Sequence, residues 1–138
     1  MTSMKTLLGA AAALAMSAAG ALADGPAIIF DLGGKFDRSF NEAAFTGAER
    51  WAEATGGTYR EIELQSDAQR EQAMRRLAEA GSNPIVMAGF SQASALSVVA
   101  PDYPDTTFVI IDGVVDERNV RSVVFSEHEG SYLVGMMA

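Results

Sequence analysis

Cysteine is absent from the 138 residues. That excludes a disulfide framework and any thiolate metal site, so the domain has to be held together by an apolar core. The length suffices for one such core and falls short of two ordinary ones. Histidine occurs once, at His128. Glu127 and Glu129 flank it on opposite sides of an extended chain, which is no ligand cluster, so neither a metal nor any other cofactor is expected. A Gly-Lys-Ser/Thr turn for cradling phosphates is also missing. Basic residues are scarce, 10 against 18 acidic, for a net charge of -8. Such a surface repels nucleic-acid backbones and anionic lipid and argues against both as partners.

The first residues stand apart from the rest. Residues 1–5 form a short, weakly cationic head, residues 7–22 an apolar run built mainly of Ala and Leu, and Ala21-Leu22-Ala23 a small-x-small pattern. The run is short for a membrane span, and polar Asp24-Gly25-Pro26 follows at once. The expectation is a signal peptide over 1–23, cleaved after Ala23, that exports a mature domain over 24–138. Cleavage removes Lys5 and leaves a charge of -9. With no cysteine after the signal, no N-terminal lipid anchor is expected. The mature protein would then be free in the periplasm of a double-membraned bacterium.

From Ala27 onward, short apolar runs alternate with amphipathic stretches. Ala27-Ile28-Ile29-Phe30 reads as a buried strand closed by Asp31-Leu32-Gly33-Gly34. A helix follows from Ser39, where Ser39-Phe40-Asn41-Glu42 fits a capping box, with the apolar stripe Phe40, Ala44, Ala48, Trp51 and Ala52, until Gly56-Gly57 stops it. Residues 59–64 alternate like a half-covered edge strand. Ser66 and Gln69 suggest a second box, opening a helix with Ala73, Met74, Leu77 and Ala78 inward and Gly81 as its C-cap. Further strands are expected over 84–88, 107–111 and 121–125, with a short helix over 91–100 and a last helix from Glu129. This alternation means βαβ units with right-handed crossovers. The fold class is therefore α/β, an open parallel sheet of order 2-1-3-4-5 with helices on both faces. Gly135-Met136-Met137-Ala138 has the character of mid-helix, and the chain is expected to be a truncated piece of a longer protein.

Open α/β sheets bind ligands beyond the carboxyl ends of their strands, where the strand order reverses. Asp31, Gly33 and Gly34 are placed there after strand 1, Gly89 and Phe90 after strand 3, and Asp112 and Gly113 after strand 4. The glycines serve tight turns equally well. Asp31 and Asp112 are harder to explain as scaffold, because a carboxylate directly after an apolar strand is costly unless it meets donors. Two such carboxylates suit a ligand rich in hydroxyl groups. Periodicity favours Phe40 as a core residue over an aromatic facing the cleft. Asn41 offers donors and an acceptor at the helix N-terminus. Trp51, Tyr59 and Phe45 read as packing residues or surface covers.

Phe30-Asp31-Leu32-Gly33-Gly34-Lys35-Phe36-Asp37-Arg38-Ser39-Phe40-Asn41 resembles the opening motif of the basic membrane protein family of ABC-transporter substrate-binding proteins. Gly89-Phe90 matches the family's turn after strand 3. Pro104-Asp105 with Phe108-Val109-Ile110-Ile111-Asp112 is similar to its fourth strand, and residues 127–135 to its fifth-strand exit and helix. These blocks occur in the family's order over nearly all of the mature chain. The resemblance implies the N-terminal lobe of a type I periplasmic-binding protein, a two-lobed receptor that closes on its ligand. It further implies purine-nucleoside binding, with Phe40 as a stacking face and Asp31, Asn41 and Asp112 bonding base or ribose. Gly89 and Phe90 complete the expected site. Riboflavin or another aromatic, hydroxylated molecule makes the same physical demands. Partners would be an ABC permease and its ATPase, served by a monomeric receptor that is not an enzyme.

One rival is a serine hydrolase. Gly89-Phe90-Ser91-Gln92-Ala93 sits between strand and helix like a nucleophile elbow, and Asp112 and His128 follow in the matching order. Against it, acid and base fall within 37 residues of Ser91, and no oxyanion-loop motif precedes them. A response-regulator-like module fits worse, since export and the missing acidic pair after strand 1 oppose it.

Overall fold

The computed structural model describes residues 25–137; the expected signal peptide over 1–23 lies outside the described residues. Five strands form one parallel sheet: β1 (Ala27–Phe30), β2 (Arg60–Glu63), β3 (Ile85–Ala88), β4 (Phe108–Ile111) and β5 (Val120–Val123), in the order β2-β1-β3-β4-β5. The helices are α1 (Phe40–Thr55), α2 (Arg70–Glu79), α3 (Ala93–Val99) and α4 (Glu127–Met137). The expected fold class and strand order are both found.

The two sheet faces are covered unequally. Ala27 and Ile29, Ile85 and Met87, and Phe108 and Ile110 point to one side, as the pairing of Ala27 with Ile85 and of Met87 with Ile110 requires. There they meet Ala73, Met74 and Leu77 of α2 and Leu96 and Val99 of α3 in a continuous buried cluster. Each large side chain so enclosed contributes roughly 1.5–3 kcal/mol. On the opposite face α1 lies over Ile28, Val86 and Ile111, and a largely apolar groove of about 690 Å³ separates them. Ala43, Ala44, Gly47 and Ala48 line that groove from the helix side; their small side chains leave the helix standing off the sheet. Trp51 is 40% exposed and covers Gly57, where an added Cβ would come within 2.5 Å of its ring. Phe45 packs edge-on against Phe30 and Phe36, with centroids 6.3 and 5.4 Å away. Every residue of α4 is exposed.

Both expected capping boxes are corrected. Ser39 makes no side-chain cap bond. Asp37 does the work, its carboxylate accepting the backbone N–H groups of Ser39 (2.8 Å), Glu42 (3.1 Å) and Asn41 (3.2 Å). A negative group at a helix start satisfies orphan donors and suits the helix dipole. Ser66 likewise makes no cap bond. Residues Asp67–Gln69 form a 3-10 turn before α2, and Gln69 Oε1 reaches back to the N–H of Gln65 at 2.8 Å. The C-cap of α2 is Ala80, one residue before the expected Gly81, which follows it in the left-handed region at φ +80°. The last helix begins at Glu127, two residues before the expected start.

Candidate functional site

Three strand ends meet on one side of the sheet. A pocket of about 280 Å³ opens there, lined by Asp31 and Leu32 after β1, Ala88 at the end of β3 with Gly89, Phe90 and Ser91 after it, Asp112 after β4, and Asp37, Phe40 and Asn41 at the start of α1. All six residues singled out from the sequence (Asp31, Phe40, Asn41, Gly89, Phe90 and Asp112) thus line a single pocket. The topology explains it: β1 and β3 are neighbours whose chains leave for opposite faces, α1 on one and α3 on the other, so a crevice must form between them. Buried Gln92 sits at the root of that crevice. Its Nε2 donates to the carbonyls of Ala88 (3.0 Å) and Ile29 (3.3 Å), tying β3 to β1 just where their pairing ends.

Asp31 is the most heavily constrained group. Its backbone N–H donates to Asn41 Oδ1 at 3.0 Å, and Asn41 Nδ2 donates back to its carbonyl at 3.1 Å. Asn41 is only 3% exposed, so its amide is spent on this strand end. The Asp31 carboxylate takes Arg70 Nη2 on Oδ1 at 2.7 Å and the Ser91 hydroxyl on Oδ2. Burial pushes this carboxyl up, but the hydrogen bonds from Ser91, Arg70 and the Leu32 backbone, with the Arg70 charge, outweigh it and hold it below the usual carboxylate range. Gly89 passes close by. It adopts φ +103°, and a Cβ there would stand 3.4 Å from Asp31 Oδ2. Both the backbone conformation and the close approach call for glycine.

Asp112 sits in a different setting. Its backbone is left-handed at φ +63°, and its N–H donates to the Val123 carbonyl at 2.7 Å. A hydrogen bond to Glu127 of α4, then burial and the Glu127 charge, raise its carboxyl. Gly113 beside it brings the loop against Phe90, whose Cα would lie 3.2 Å from an added Cβ.

The aromatic rings are accessible. Phe40 is 37% exposed and Phe90 68% exposed, both on the pocket wall. Phe40 therefore does not take the core position that helix periodicity favours. The helix turns its first residue outward because the capping loop from Asp37 sets its rotation, placing Asn41 inward instead.

Sequence reasoning missed Arg70 as a neighbour of the site, although a cation at the first position of a helix, against the dipole, was a signal. Asp37 was missed too; an acid just ahead of a helix start is the pattern that would have found it. Ser91, the residue of the elbow-like motif, faces Asp31. Its hydroxyl donates to the Asp31 carboxylate, which Arg70 also engages. Among the described residues, no group of three or more His, Cys, Asp or Glu is placed to hold a metal ion.

The described residues thus form an open parallel sheet of this order with a polar and aromatic pocket at its switch point. The model of the family described as ABC transporter substrate-binding protein PnrA-like matches residues 27–138, and the chain belongs to that family. It is 34% identical over 119 residues to the ABC transporter nucleoside-binding protein BmpA of Lactococcus lactis subsp. cremoris, a match covering 81% of this chain and 33% of that protein. An uncharacterized lipoprotein of Pyrococcus furiosus is 37% identical over 119 residues, covering 81% and 29%. A crystal structure of an ABC transporter solute-binding protein from Aeropyrum pernix K1 superposes with a TM-score of 0.77 at 37% identity, over 83% of this chain and 32% of that one. The chain thus spans about a third of the length of these three relatives.

Proposed function

We propose that residues 24–138 form one lobe of an extracytoplasmic receptor that binds a nucleoside, in the first place a purine nucleoside, and hands it to an ABC permease driven by an ATPase. The observation that carries this reading is the pairing of an exposed aromatic face with two separate carboxylates in one small pocket. Phe40 offers a flat ring for a base, worth on the order of 1 kcal/mol beyond burial. Asp31 and Asp112 offer acceptors for hydroxyl or N–H donors. Gly89 and Phe90 form the wall between them, and Asn41 acts by holding Asp31 in place. The nucleoside-binding relative supports the same ligand class. The lipoprotein and solute-binding relatives support a location outside the cytoplasm, to which residues 1–23 would direct the chain as a cleaved signal. A second lobe would close the pocket from the other side, in a monomer and without catalysis.

Calorimetric titration of the full-length protein with adenosine, guanosine, inosine, cytidine and riboflavin tests the reading. The expected outcome is tight binding of a purine nucleoside, weakened at least tenfold by Phe40→Ala with the fold intact. Heat from riboflavin alone would move the ligand to a flavin and leave the receptor class standing.

A further inference from the structure

The least expected group near the pocket is the guanidinium of Arg70. It belongs to the first residue of α2, where the helix dipole disfavours a cation, and its side chain is only 12% exposed. A buried cation in such a place is costly unless its partners are well placed. Its partners lie on two sides: Nη2 meets Asp31 Oδ1 at 2.7 Å, and Nη1 meets Asp67 of the preceding turn. Nε is buried without a partner. The arginine is therefore committed to bridging rather than to satisfying its own donors. From the opposite side the Ser91 hydroxyl takes Asp31 Oδ2. Both carboxylate oxygens are thus fixed, each by a different element.

We propose that Arg70 is a positioning residue for ligand binding: with Ser91 it clamps the Asp31 carboxylate in one orientation, so that the ligand meets a preorganised, charge-compensated acceptor. This rests on the pocket being the ligand site proposed above. The fork of arginine suits the task because Nη1 reaches Asp67 while Nη2 reaches Asp31, two donors in a fixed geometry that a lysine ammonium does not offer. The clamp also gives Asp31 a cation as its direct partner. The other charged groups around the pocket are acidic. Asp37 is turned into the cap of α1, Asp67 shares Arg70, and Asp112 lies against Glu127. Without Arg70, Asp31 would face that acidic ring with Ser91 and backbone as its remaining donors.

The test uses the full-length protein and the variants R70Q, R70K and S91A. Two quantities are read: the titration of the Asp31 carboxyl carbon by NMR, and inosine affinity at pH 5 and pH 8. In R70Q the Asp31 titration should move to higher pH, and inosine binding should weaken at least tenfold, more at pH 5 than at pH 8. R70K should keep most of the Asp31 titration but weaken inosine about threefold to tenfold, because charge is restored without the fork. S91A should act in the same direction as R70Q and more weakly. An Asp31 titration unchanged in folded R70Q, or inosine affinity unchanged in R70Q and R70K at both pH values, overturns the proposal. If R70Q does not fold, R70K with wild-type affinity overturns it alone. If the wild-type protein binds no nucleoside, the ligand reading fails by itself, and the Asp31 titration still decides whether Arg70 clamps the carboxylate.

Discussion

Asp31 and Asp112 occupy equivalent places, one residue beyond a parallel strand, yet the molecule treats them in opposite ways. Around Asp31 three helix starts converge. Asn41 holds its backbone, Arg70 and Ser91 hold its carboxylate, and the result is an acid kept ionised in a fixed pose. Around Asp112 there is a left-handed backbone, a hydrogen bond to the edge strand β5, and another carboxyl. The first site lies at the switch point, enclosed on both sides. The second lies toward the sheet edge, where β5 and α4 are exposed. Enclosure supplies donors, and donors lower a carboxyl; at the edge an acidic neighbour goes uncompensated and raises one.

The largest way to break this contrast is to remove the device that anchors Asp31. Asn41→Ala leaves the Asp31 N–H and carbonyl without their partners in a buried setting and should destabilise the fold by about 2 kcal/mol, read from urea denaturation with the slope unchanged. Asp112 has no comparable anchor, since its N–H is tied by backbone. A smaller effect is expected in acid. The folded-state carboxyl of Asp31 lies below its ordinary value. Its contribution is therefore fully present above the ordinary carboxylate range and is lost as pH falls through the lowered folded value. Melting temperatures from neutral pH down to about pH 2 should show wild type well above Asp31→Asn at neutral pH and the two converging in acid. A constant gap at every pH would mean that the Asp31 charge contributes nothing to folding.

Much of this contrast was visible in the sequence, and the rest was hidden for identifiable reasons. Apolar runs such as Ala27-Ile28-Ile29-Phe30 and Phe108-Val109-Ile110-Ile111 mark strands because a parallel sheet buries both faces. Residues directly after them fall at the carboxyl edge by construction, so Asp31, Gly89 and Asp112 were legible as neighbours. Arg70 was not, because it reaches Asp31 across 39 residues and helical periodicity carries no information about which carboxylate an arginine will meet. Gln92 was hidden for the same reason: a buried amide bonding the carbonyls of two strands looks polar and external in a sequence. Phe40 shows how local pattern fails at a helix start. The rotation of α1 is set by the Asp37 cap, and it trades the apolar residue outward for Asn41.

The smallest expected effect sharpens the contrast from the Asp112 side. There the folded-state carboxyl lies above its ordinary value, chiefly through the bond to Glu127. A raised acid stabilises the fold below its unfolded-state pKa, and that benefit is lost as pH rises through the folded value. Across the loop between β4 and α4 the Glu127 charge works against an ionised Asp112. Glu127→Gln should therefore be slightly more stable than wild type at neutral pH, with the advantage vanishing in acid, the reverse of the Asp31→Asn profile. The same variant should return the Asp112 titration toward the ordinary carboxylate range. Adding a purine nucleoside supplies a second discriminator. A ligand that donates to Asp112 favours its ionised form, so wild type should gain more from ligand at neutral pH than in acid. A variant whose melting profile tracks wild type at every pH would show that Asp112 and Glu127 do not interact, and the two strand ends would then differ in donors alone.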